Sequence, residues 1–125
     1  MILGIGIDII EIRRFDKSIK KTGGKILKRL FTITERNYCE SKKQKSLHYA
    51  ARFCAKEAFL KALGTGLDQK ISWQDISVEN SKDGRSKLAV SGEALKVSKK
   101  FGVRKIHLSI SHSHDFATAV VVLEK

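Results

Sequence analysis

The sequence predicts an α+β fold, and three patterns carry that prediction. Residues 46–63 contain no Gly or Pro and are followed by Gly64, which is typical of one long helix ending at a glycine. Residues 106–111 alternate apolar and polar side chains, as in a strand with two unlike faces. Residues 116–123 are apolar on both faces, so this strand is either central in the sheet or covered by another subunit. The complete predicted order, β-α-α-α-β-β-α-β-β, is that of an α+β protein.

The first strand combines an aliphatic face with a face of two glycines and one acid. Its aliphatic positions are Leu3, Ile5, Ile7 and Ile9. Gly4, Gly6 and Asp8 share the other face, and glycine in a strand marks a close approach by a ligand or by another backbone. The sequence leaves both possibilities open. Asp8 likewise fits either a ligand-binding acid or a residue that accepts backbone hydrogen bonds where the strand gives way to a helix.

A basic amphipathic helix follows this strand. Its apolar positions recur at helical spacing: Ile12, Phe15 and Ile19. The helix is expected to end at Gly23-Gly24, and Thr34 is predicted as the N-cap of a further helix after a short connecting segment. Residues 41–45 are typical of a charged surface loop.

Short extended segments follow the long helix. They are expected at 71–73, 76–79 and 88–90, and the turn at Asp83-Gly84 makes the last two a β-hairpin. The segment 91–102 begins with a serine suited to capping and ends with a glycine, so it is predicted as the last helix.

Composition bounds the class of protein. A chain of 125 residues with 42% hydrophobic residues is expected to form a single domain over residues 1–125. No apolar stretch reaches membrane-spanning length and the start lacks a signal-peptide pattern, so we expect a cytoplasmic protein without a membrane partner. Cys39 and Cys54 are too few for a disulfide framework, and Cys54 is expected to be an ordinary buried thiol.

The formal charge of +12 predicts polyanionic partners. Nucleic acid, phosphorylated cofactors and acidic proteins all qualify, and charge alone does not choose among them. The chain has no arginine-rich tail and no interleaved aromatic and basic residues of the kind that stack on bases. A small basic nucleic-acid-binding module is therefore the alternative to an enzyme.

Glu57 and Lys61 lie one turn apart on one face of the long helix. An exposed ion pair is the ordinary interpretation of this spacing, but the surrounding helix is rich in alanine and apolar residues, and buried charges need a partner or a ligand. Magnesium prefers one or two carboxylates with phosphate oxygens and water, so Asp8 and Glu57 suffice if the fold brings them together. Lys61 can then hold a phosphate.

The segment Gly64-Thr65-Gly66 follows the long helix and offers backbone N–H groups to a phosphate, although a simple helix C-cap explains the segment equally well.

The segment Ser111-His-Ser-His114 joins the last two predicted strands. Hydroxyl and imidazole groups at a strand end suit phosphate binding or proton transfer. For His114 a plain polar turn is the better interpretation. For His112 the functional interpretation depends on a family resemblance.

Three motifs carry that resemblance. They are Gly4-Ile-Gly-Ile-Asp-Ile-Ile-Glu-Ile12, Arg52-Phe-Cys-Ala-Lys-Glu-Ala-Phe-Leu-Lys-Ala-Leu-Gly-Thr-Gly66 and Ser109-Ile-Ser-His-Ser113. In this order, over essentially the whole chain, they resemble the holo-acyl-carrier-protein synthases, the short bacterial type of the 4′-phosphopantetheinyl transferase superfamily. The resemblance implies the fold of that superfamily, a small, mainly antiparallel sheet packed with a long central helix and shorter helices. The chain departs from the family at Gly84-Arg-Ser86, where Gly-Lys-Pro is common, and at Cys54, where alanine is frequent.

The resemblance implies an enzyme that transfers 4′-phosphopantetheine from coenzyme A to a serine of apo acyl carrier protein and releases adenosine 3′,5′-bisphosphate, in support of fatty acid biosynthesis. It implies that Asp8 and Glu57 hold the Mg²⁺ that bridges to the coenzyme A pyrophosphate. The residues that it places in the coenzyme A site are Arg52, Lys61, Gly64, Ser111 and His112. It also implies a homotrimer whose active sites are shared between neighbouring subunits.

Two further expectations concern the proton and the protein partner. The attacking serine needs a proton acceptor, and the sequence leaves Glu57, His112 and a metal-bound water open, with Glu35 as a weaker candidate. Glu57, Lys61 and His112 are therefore the expected catalytic residues.

Acyl carrier proteins are acidic, so the basic helix is expected to dock them. The docking residues would be Arg14, Lys17 and Lys21. For the two lysines, a merely solvated helix face is an equal alternative.

Overall fold

The structure is a computed structural model that describes residues 1–66 and 70–125. The first half contains β1 (Ile2–Glu11), α1 (Ile12–Lys21), α2 (Lys25–Leu30), α3 (Ile33–Glu40) and α4 (Lys45–Leu63). The second half contains β2 (Ile76–Asn80), β3 (Ser86–Val90), α5 (Gly92–Phe101), β4 (Lys105–His112) and β5 (Phe116–Glu124). The α+β class is confirmed, and within the described ranges no helix has the length and apolarity needed to cross a membrane.

Two antiparallel sheets hold these strands. One has the order β1-β5-β4, and the other is the predicted β2-β3 hairpin. In the first sheet Val121 of β5 pairs with Gly6 of β1 on one side and with Leu108 of β4 on the other. β5 is therefore the central strand of this sheet, which was one of the two alternatives that its apolar sequence left open.

Helix α4 lies across β1 and β5, and the two glycines of β1 make this packing possible. A Cβ on Gly4 would collide with the carbonyl oxygen of Ala62, and a Cβ on Gly6 would collide with that of Ala58. Only glycine lets the helix backbone lie this close to the strand. The question that the sequence left open is thereby answered: another backbone, not a substrate, approaches these positions.

The opposite face of β1 carries an uncovered aliphatic strip. Ile5, Ile7 and Ile9 are 61%, 64% and 66% exposed. Their cross-strand partners on β5, Val122, Val120 and Thr118, are half-buried. Isolated exposed aliphatic residues are ordinary, but a continuous strip of them marks an interaction surface.

The structure corrects two local predictions. Thr32, not Thr34, is the N-cap of α3, because Thr32 forms a capping box with Glu35: its hydroxyl accepts the Glu35 N–H at 3.2 Å while the Glu35 carboxylate accepts the Thr32 N–H at 2.9 Å. The expectation of an extended segment at 71–73 was also wrong. Trp73 begins a short 3-10 helix, Trp73–Asp75, which Ser72 caps by accepting the Gln74 N–H.

A buried ion pair joins α4 to α3 and to β2. Lys56 Nζ lies 2.6 Å from Glu35 Oε1, and both side chains are fully buried. Lys56 also donates to the carbonyl oxygen of Leu30 at 2.7 Å, and Glu35 accepts the backbone N–H of Val78 at 2.7 Å. Burial lowers the pKa of Lys56, whereas the neighbouring Glu35 carboxylate opposes that change. The Glu35 carboxylate is fully engaged in these contacts, which removes it from the candidate bases.

Candidate active site

Asp8, Glu57 and Lys61 come together where β1 crosses the C-terminal half of α4. Lys61 Nζ lies 3.0 Å from Asp8 Oδ1 and donates to the carbonyl oxygen of Ile7, also at 3.0 Å. Burial raises the pKa of Glu57, the negative charge of Asp8 raises it further, and Lys61 opposes both. The fold therefore brings Lys61 into contact with Asp8, and Glu57 lies one turn from Lys61 on the same helix face.

The sequence explains why these groups meet. Gly4 and Gly6 bring α4 against β1, and alternation along the strand points Asp8 toward the same helix. Spacing of one turn then places Glu57 and Lys61 on the helix face beside it. The Asp8 side chain is 17% exposed and that of Lys61 is 54% exposed, so the group is open to solvent on one side. A ligand can approach from that side.

The donor set fits Mg²⁺ with a phosphorylated ligand. No cluster of three or more His, Cys, Asp or Glu side chains in residues 1–66 and 70–125 is arranged to hold a metal ion. A closed, protein-only metal site is therefore not built from these residues. Mg²⁺ is commonly bound by one or two carboxylates, with phosphate oxygens and water in its other coordination positions. The Lys61 ammonium adds a partner for a phosphate.

Arg52 lies in a different place from Asp8. Its guanidinium carbon lies 3.9 Å from the ring centroid of Tyr38, and its Nη2 donates to Asn80 Oδ1 at 2.8 Å. The residue is only 4% exposed, and its Nε has no hydrogen-bond partner among the described residues. A buried donor without a partner is rare, so the arginine has hydrogen-bonding capacity to offer a ligand.

Other positive groups surround the same tyrosine. Lys42 Nζ lies 4.8 Å from the Tyr38 ring centroid, and the His48 ring packs edge-on against it at 5.6 Å. Burial lowers the pKa of His48, and the charges of Arg52, Lys42 and His112 lower it further. These residues form a cluster, here called the cationic cluster: Lys42, His48, Arg52 and His112. The positive side chains of Lys42 and Arg52 beside His48 make this cluster suited to binding an anion.

The predicted coenzyme A residues of one chain thus fall into separate groups. Asp8 on β1 pairs with Ala119 of β5, and His112 on β4 pairs with Ala117 of β5. Asp8 and His112 are thus separated by two strand spacings and two residues, which places their Cα atoms about 12 Å apart. Ser111 is exposed and points to the sheet face opposite His112. Gly64 ends α4 with φ 77° and donates its N–H to the Leu60 carbonyl oxygen, as the C-cap interpretation predicted.

Sequence reasoning missed two contributors to these groups. Tyr38 and His48 organise the cationic cluster. A signal existed for both: Tyr38 with Lys42, and His48 with Arg52, are each four residues apart. Spacing alone does not show that the two pairs pack on one another, since that contact joins different helices.

Comparison with known proteins gives the class first. Residues 4–121 match the family model described as the 4′-phosphopantetheinyl transferase superfamily, and the chain belongs to that family. Within it, the chain is similar to proteins named holo-[acyl-carrier-protein] synthase. The protein of that name from Geotalea daltonii is 44% identical over 125 residues, which is 100% of both chains.

Solved structures agree with this placement. A holo-[acyl-carrier-protein] synthase from Neisseria meningitidis superposes with a TM-score of 0.93 at 33% identity, and the match covers 100% of both chains. A holo-(acyl-carrier-protein) synthase from Bacillus anthracis, solved in complex with CoA (3′,5′-ADP), gives a TM-score of 0.80 at 42% identity over 98% of this chain and 96% of that one. The predicted family and fold are confirmed, and nothing in these relatives supports the nucleic-acid-binding alternative.

Proposed function

We propose that this protein is an Mg²⁺-dependent holo-acyl-carrier-protein synthase that transfers 4′-phosphopantetheine from coenzyme A to a serine of apo acyl carrier protein. The observation that carries the proposal is the meeting of Asp8 and Glu57 beside Lys61 at an open edge of the sheet. A site with two carboxylates and one lysine suits a magnesium-bound pyrophosphate. The full-length relatives named holo-[acyl-carrier-protein] synthase support this substrate class.

In the proposed reaction the serine oxygen bonds to the β-phosphorus of coenzyme A, the bond from that phosphorus to the bridging oxygen breaks, and adenosine 3′,5′-bisphosphate leaves. Mg²⁺ held by Asp8 and Glu57 would neutralise charge on the pyrophosphate. Lys61 holds a phosphate oxygen as a point charge and aligns the phosphorus with the serine. The serine proton passes to Glu57, to His112 or to water. His112 of the same chain is about 12 Å from Asp8 by sheet spacings, so a histidine in that role would come from a neighbouring copy.

The cationic cluster is proposed to hold the 3′-phosphate end of coenzyme A. Arg52 supplies a guanidinium whose Nε has no partner among the described residues, Lys42 adds positive charge, and the imidazoles of His48 and His112 lie in the same cluster. A phosphate would satisfy the unpartnered donor and relieve the mutual repulsion of the cations. Arg52 is held by Tyr38 and Asn80, away from Asp8, so one coenzyme A would span groups from two copies of the chain.

We therefore propose a homotrimer with active sites shared between neighbouring subunits. The strip formed by Ile5, Ile7 and Ile9 supports this, since in one chain it leaves a continuous aliphatic surface in water. A second copy of the chain is the occupant that would cover this strip and also bring a second cationic cluster near Asp8. Heterologous contacts between copies that close into a ring produce a cyclic oligomer such as a trimer.

The proposed docking site for the acidic carrier protein lies on α1. Arg14, Lys17 and Lys21 are exposed on this helix, whose last turn is also basic. A cavity of about 430 Å³ adjoins Arg14 and is lined by apolar side chains, including Phe15, Ile26 and Phe53. Phe53 lies one turn before Glu57 on α4. The basic helix would attract the carrier, and the cavity would receive apolar side chains next to its serine.

Three coarser features complete the proposal. Residues 1–125 would act as one 4′-phosphopantetheinyl transferase domain, the enzyme would work in the cytoplasm, and its product would support fatty acid biosynthesis. No membrane or nucleic-acid partner is proposed, since the positive charge is accounted for by coenzyme A and by the acidic carrier.

The test is incubation with apo acyl carrier protein, coenzyme A and Mg²⁺, followed by mass spectrometry of the carrier. We expect the carrier to gain one phosphopantetheine, and a chelator such as EDTA to prevent the gain. A carrier whose mass stays unchanged under all these conditions would refute the proposed function. Salt-sensitive binding to a DNA or RNA duplex, undiminished in Asp8→Ala, would favour the nucleic-acid-binding module instead.

A further inference from the structure

The guanidinium of Arg52 is held by two contacts of different kinds. Its central carbon lies over the Tyr38 ring of α3, 3.9 Å from the ring centroid, and its Nη2 donates to Asn80 Oδ1 of β2 at 2.8 Å. At this distance the ring packs against the face of the planar guanidinium, whereas Asn80 contacts its edge. The N–H groups of a guanidinium lie along its edge, so a partner on the face leaves them available to a ligand.

The ring of Tyr38 also contacts a second cation. Lys42 Nζ lies 4.8 Å from the same centroid. Neither Arg52 nor Lys42 forms a salt bridge with a carboxylate of residues 1–66 and 70–125. Two neighbouring positive charges repel each other, and the negative face of an aromatic ring attracts both. The Tyr38 ring therefore stabilises a concentration of positive charge that no carboxylate of the described residues neutralises.

The other tyrosine of the chain packs against an apolar ring instead. The Tyr49 ring lies 4.9 Å from that of Phe31, and its hydroxyl donates to Glu40 Oε2 at 2.8 Å. Tyr49 is fully buried in the core, whereas Tyr38 is half-buried. Loss of the Tyr49 ring should therefore lower stability at least as much as loss of the Tyr38 ring. Tyr49 is the matched control for removing an aromatic ring that holds no arginine.

We propose that Tyr38 is a positioning residue that fixes the Arg52 guanidinium for a 3′-phosphate, and that it thereby gives the site a preference for 3′-phosphorylated nucleotides. The inference rests on the proposed role of the cationic cluster in binding coenzyme A. A guanidinium that is already held in its binding orientation loses less conformational freedom when a phosphate binds. Because the ring acts through Arg52, its loss should matter only for ligands that carry the 3′-phosphate.

The experiment compares coenzyme A with dephospho-coenzyme A, which lacks only the 3′-phosphate. Their dissociation constants are measured by calorimetric titration in the presence of Mg²⁺, and near-ultraviolet circular dichroism checks that each variant is folded. Tyr38→Leu should raise the dissociation constant for coenzyme A by roughly five- to twentyfold and that for dephospho-coenzyme A by less than about twofold. Tyr38→Phe keeps the ring and should stay within about twofold of wild type for both ligands. Tyr49→Leu should lower thermal stability without changing either dissociation constant.

Arg52→Met tests whether the ring acts through the arginine. In a chain that already carries Arg52→Met, the further change Tyr38→Leu should alter the dissociation constant for coenzyme A by less than about twofold, because the group that the ring positions is gone. A ring that contacted the nucleotide directly would instead produce its full loss in this background.

The outcomes separate this inference from the proposed function. If Arg52→Met weakened coenzyme A binding while folded Tyr38→Leu did not, the cluster would keep its role and the positioning role of Tyr38 would be overturned. Equal losses for coenzyme A and dephospho-coenzyme A in Tyr38→Leu, or equal losses in Tyr38→Leu and Tyr49→Leu, would overturn it as well. If Arg52→Met left coenzyme A affinity unchanged, the proposed role of the cluster would fail and this inference with it.

Discussion

Helix α4 carries two lysines that each pair with a carboxylate, and the two pairs are built differently. The pair of Lys56 and Glu35 is 2.6 Å long with both side chains fully buried, and backbone groups of other elements satisfy its remaining donors and acceptors. The pair of Lys61 and Asp8 is 3.0 Å long, and its side chains are 54% and 17% exposed. A second carboxylate, Glu57, lies beside it without a salt bridge of its own among the described residues.

The two pairs therefore have different roles on one helix: the buried pair stabilises the fold, and the open pair is available to a ligand. In the buried pair the hydrogen-bonding capacity is used within the fold, so no ligand can gain from it. In the open pair two negative groups share one lysine, which leaves excess negative charge facing solvent. A divalent cation bound at this accessible edge would neutralise the excess negative charge. A phosphate would then occupy further coordination positions of that cation.

The largest expected effect separates catalysis from stability at the open pair. Asp8→Ala and Glu57→Ala should each lower the rate of carrier modification by more than about 10³-fold, equivalent to about 4 kcal/mol. Thermal melting should stay close to wild type, since removing one of two neighbouring like charges relieves repulsion. Phosphopantetheine transfer by mass spectrometry and melting by calorimetry provide the two measurements. Full activity in either variant would refute the metal assignment.

The next effect concerns the buried pair. Lys56→Met removes one charge and leaves Glu35 buried without its partner, which should destabilise the protein by about 3–5 kcal/mol. Denaturant unfolding of Lys56→Met measures this loss, and Glu35→Gln gives a second, independent variant. If either variant unfolded at the wild-type denaturant concentration, the buried pair would not have the structural role assigned to it.

Lys61→Met is the matched change at the open pair. It should alter the free energy of unfolding by less than about 1 kcal/mol, because an exposed pair contributes little. Turnover should nevertheless fall by about 10- to 100-fold, since a phosphate loses its point charge. Unfolding curves and steady-state kinetics of Lys61→Met and Lys56→Met, measured together, test the comparison. Equal destabilisation by the two substitutions would contradict it.

The sequence could predict the open pair but not the buried one. Strand alternation through Asp8 and helical spacing of Glu57 and Lys61 are local patterns, and the family resemblance joined them. The pairing of Lys56 with Glu35 depends on how α3 packs against α4, and no periodicity encodes that contact. For the same reason Glu35 stood among the candidate bases until its buried partners were visible.

The same limit applies to the cationic cluster and to the glycines. Arg52 and His112 were found through the family motifs, whereas Tyr38 joins them only through tertiary packing. Gly4 and Gly6 were recognised as places of close approach, but only the packed helix showed that the approaching group is the backbone of α4. Local chemistry was therefore predictable from spacing, whereas partners across elements came from the family resemblance or only from the packed structure.

The cationic cluster yields a prediction about pH. In the free protein, burial and the neighbouring cations hold the pKa of His48 below its ordinary value. A bound phosphate would raise that pKa, so binding of adenosine 3′,5′-bisphosphate should take up protons and strengthen as the pH falls from about 8 to about 6. Calorimetric titration in buffers of different ionisation enthalpy measures the uptake. His48→Gln should reduce it, and an unchanged uptake in that variant would exclude His48 as its source.

The smallest expected effect concerns the docking helix. Replacing Lys17 and Lys21 together by glutamate should raise the KM for the acidic carrier protein about three- to tenfold and leave kcat nearly unchanged, since these exposed charges act on encounter rather than on chemistry. The difference from wild type should shrink in about 0.5 M salt, where exposed charges are screened. Lys99 and Lys100, exposed at the end of α5, provide a control pair with the same charge change. An equal rise in KM for that control would show that net charge, not the α1 face, attracts the carrier.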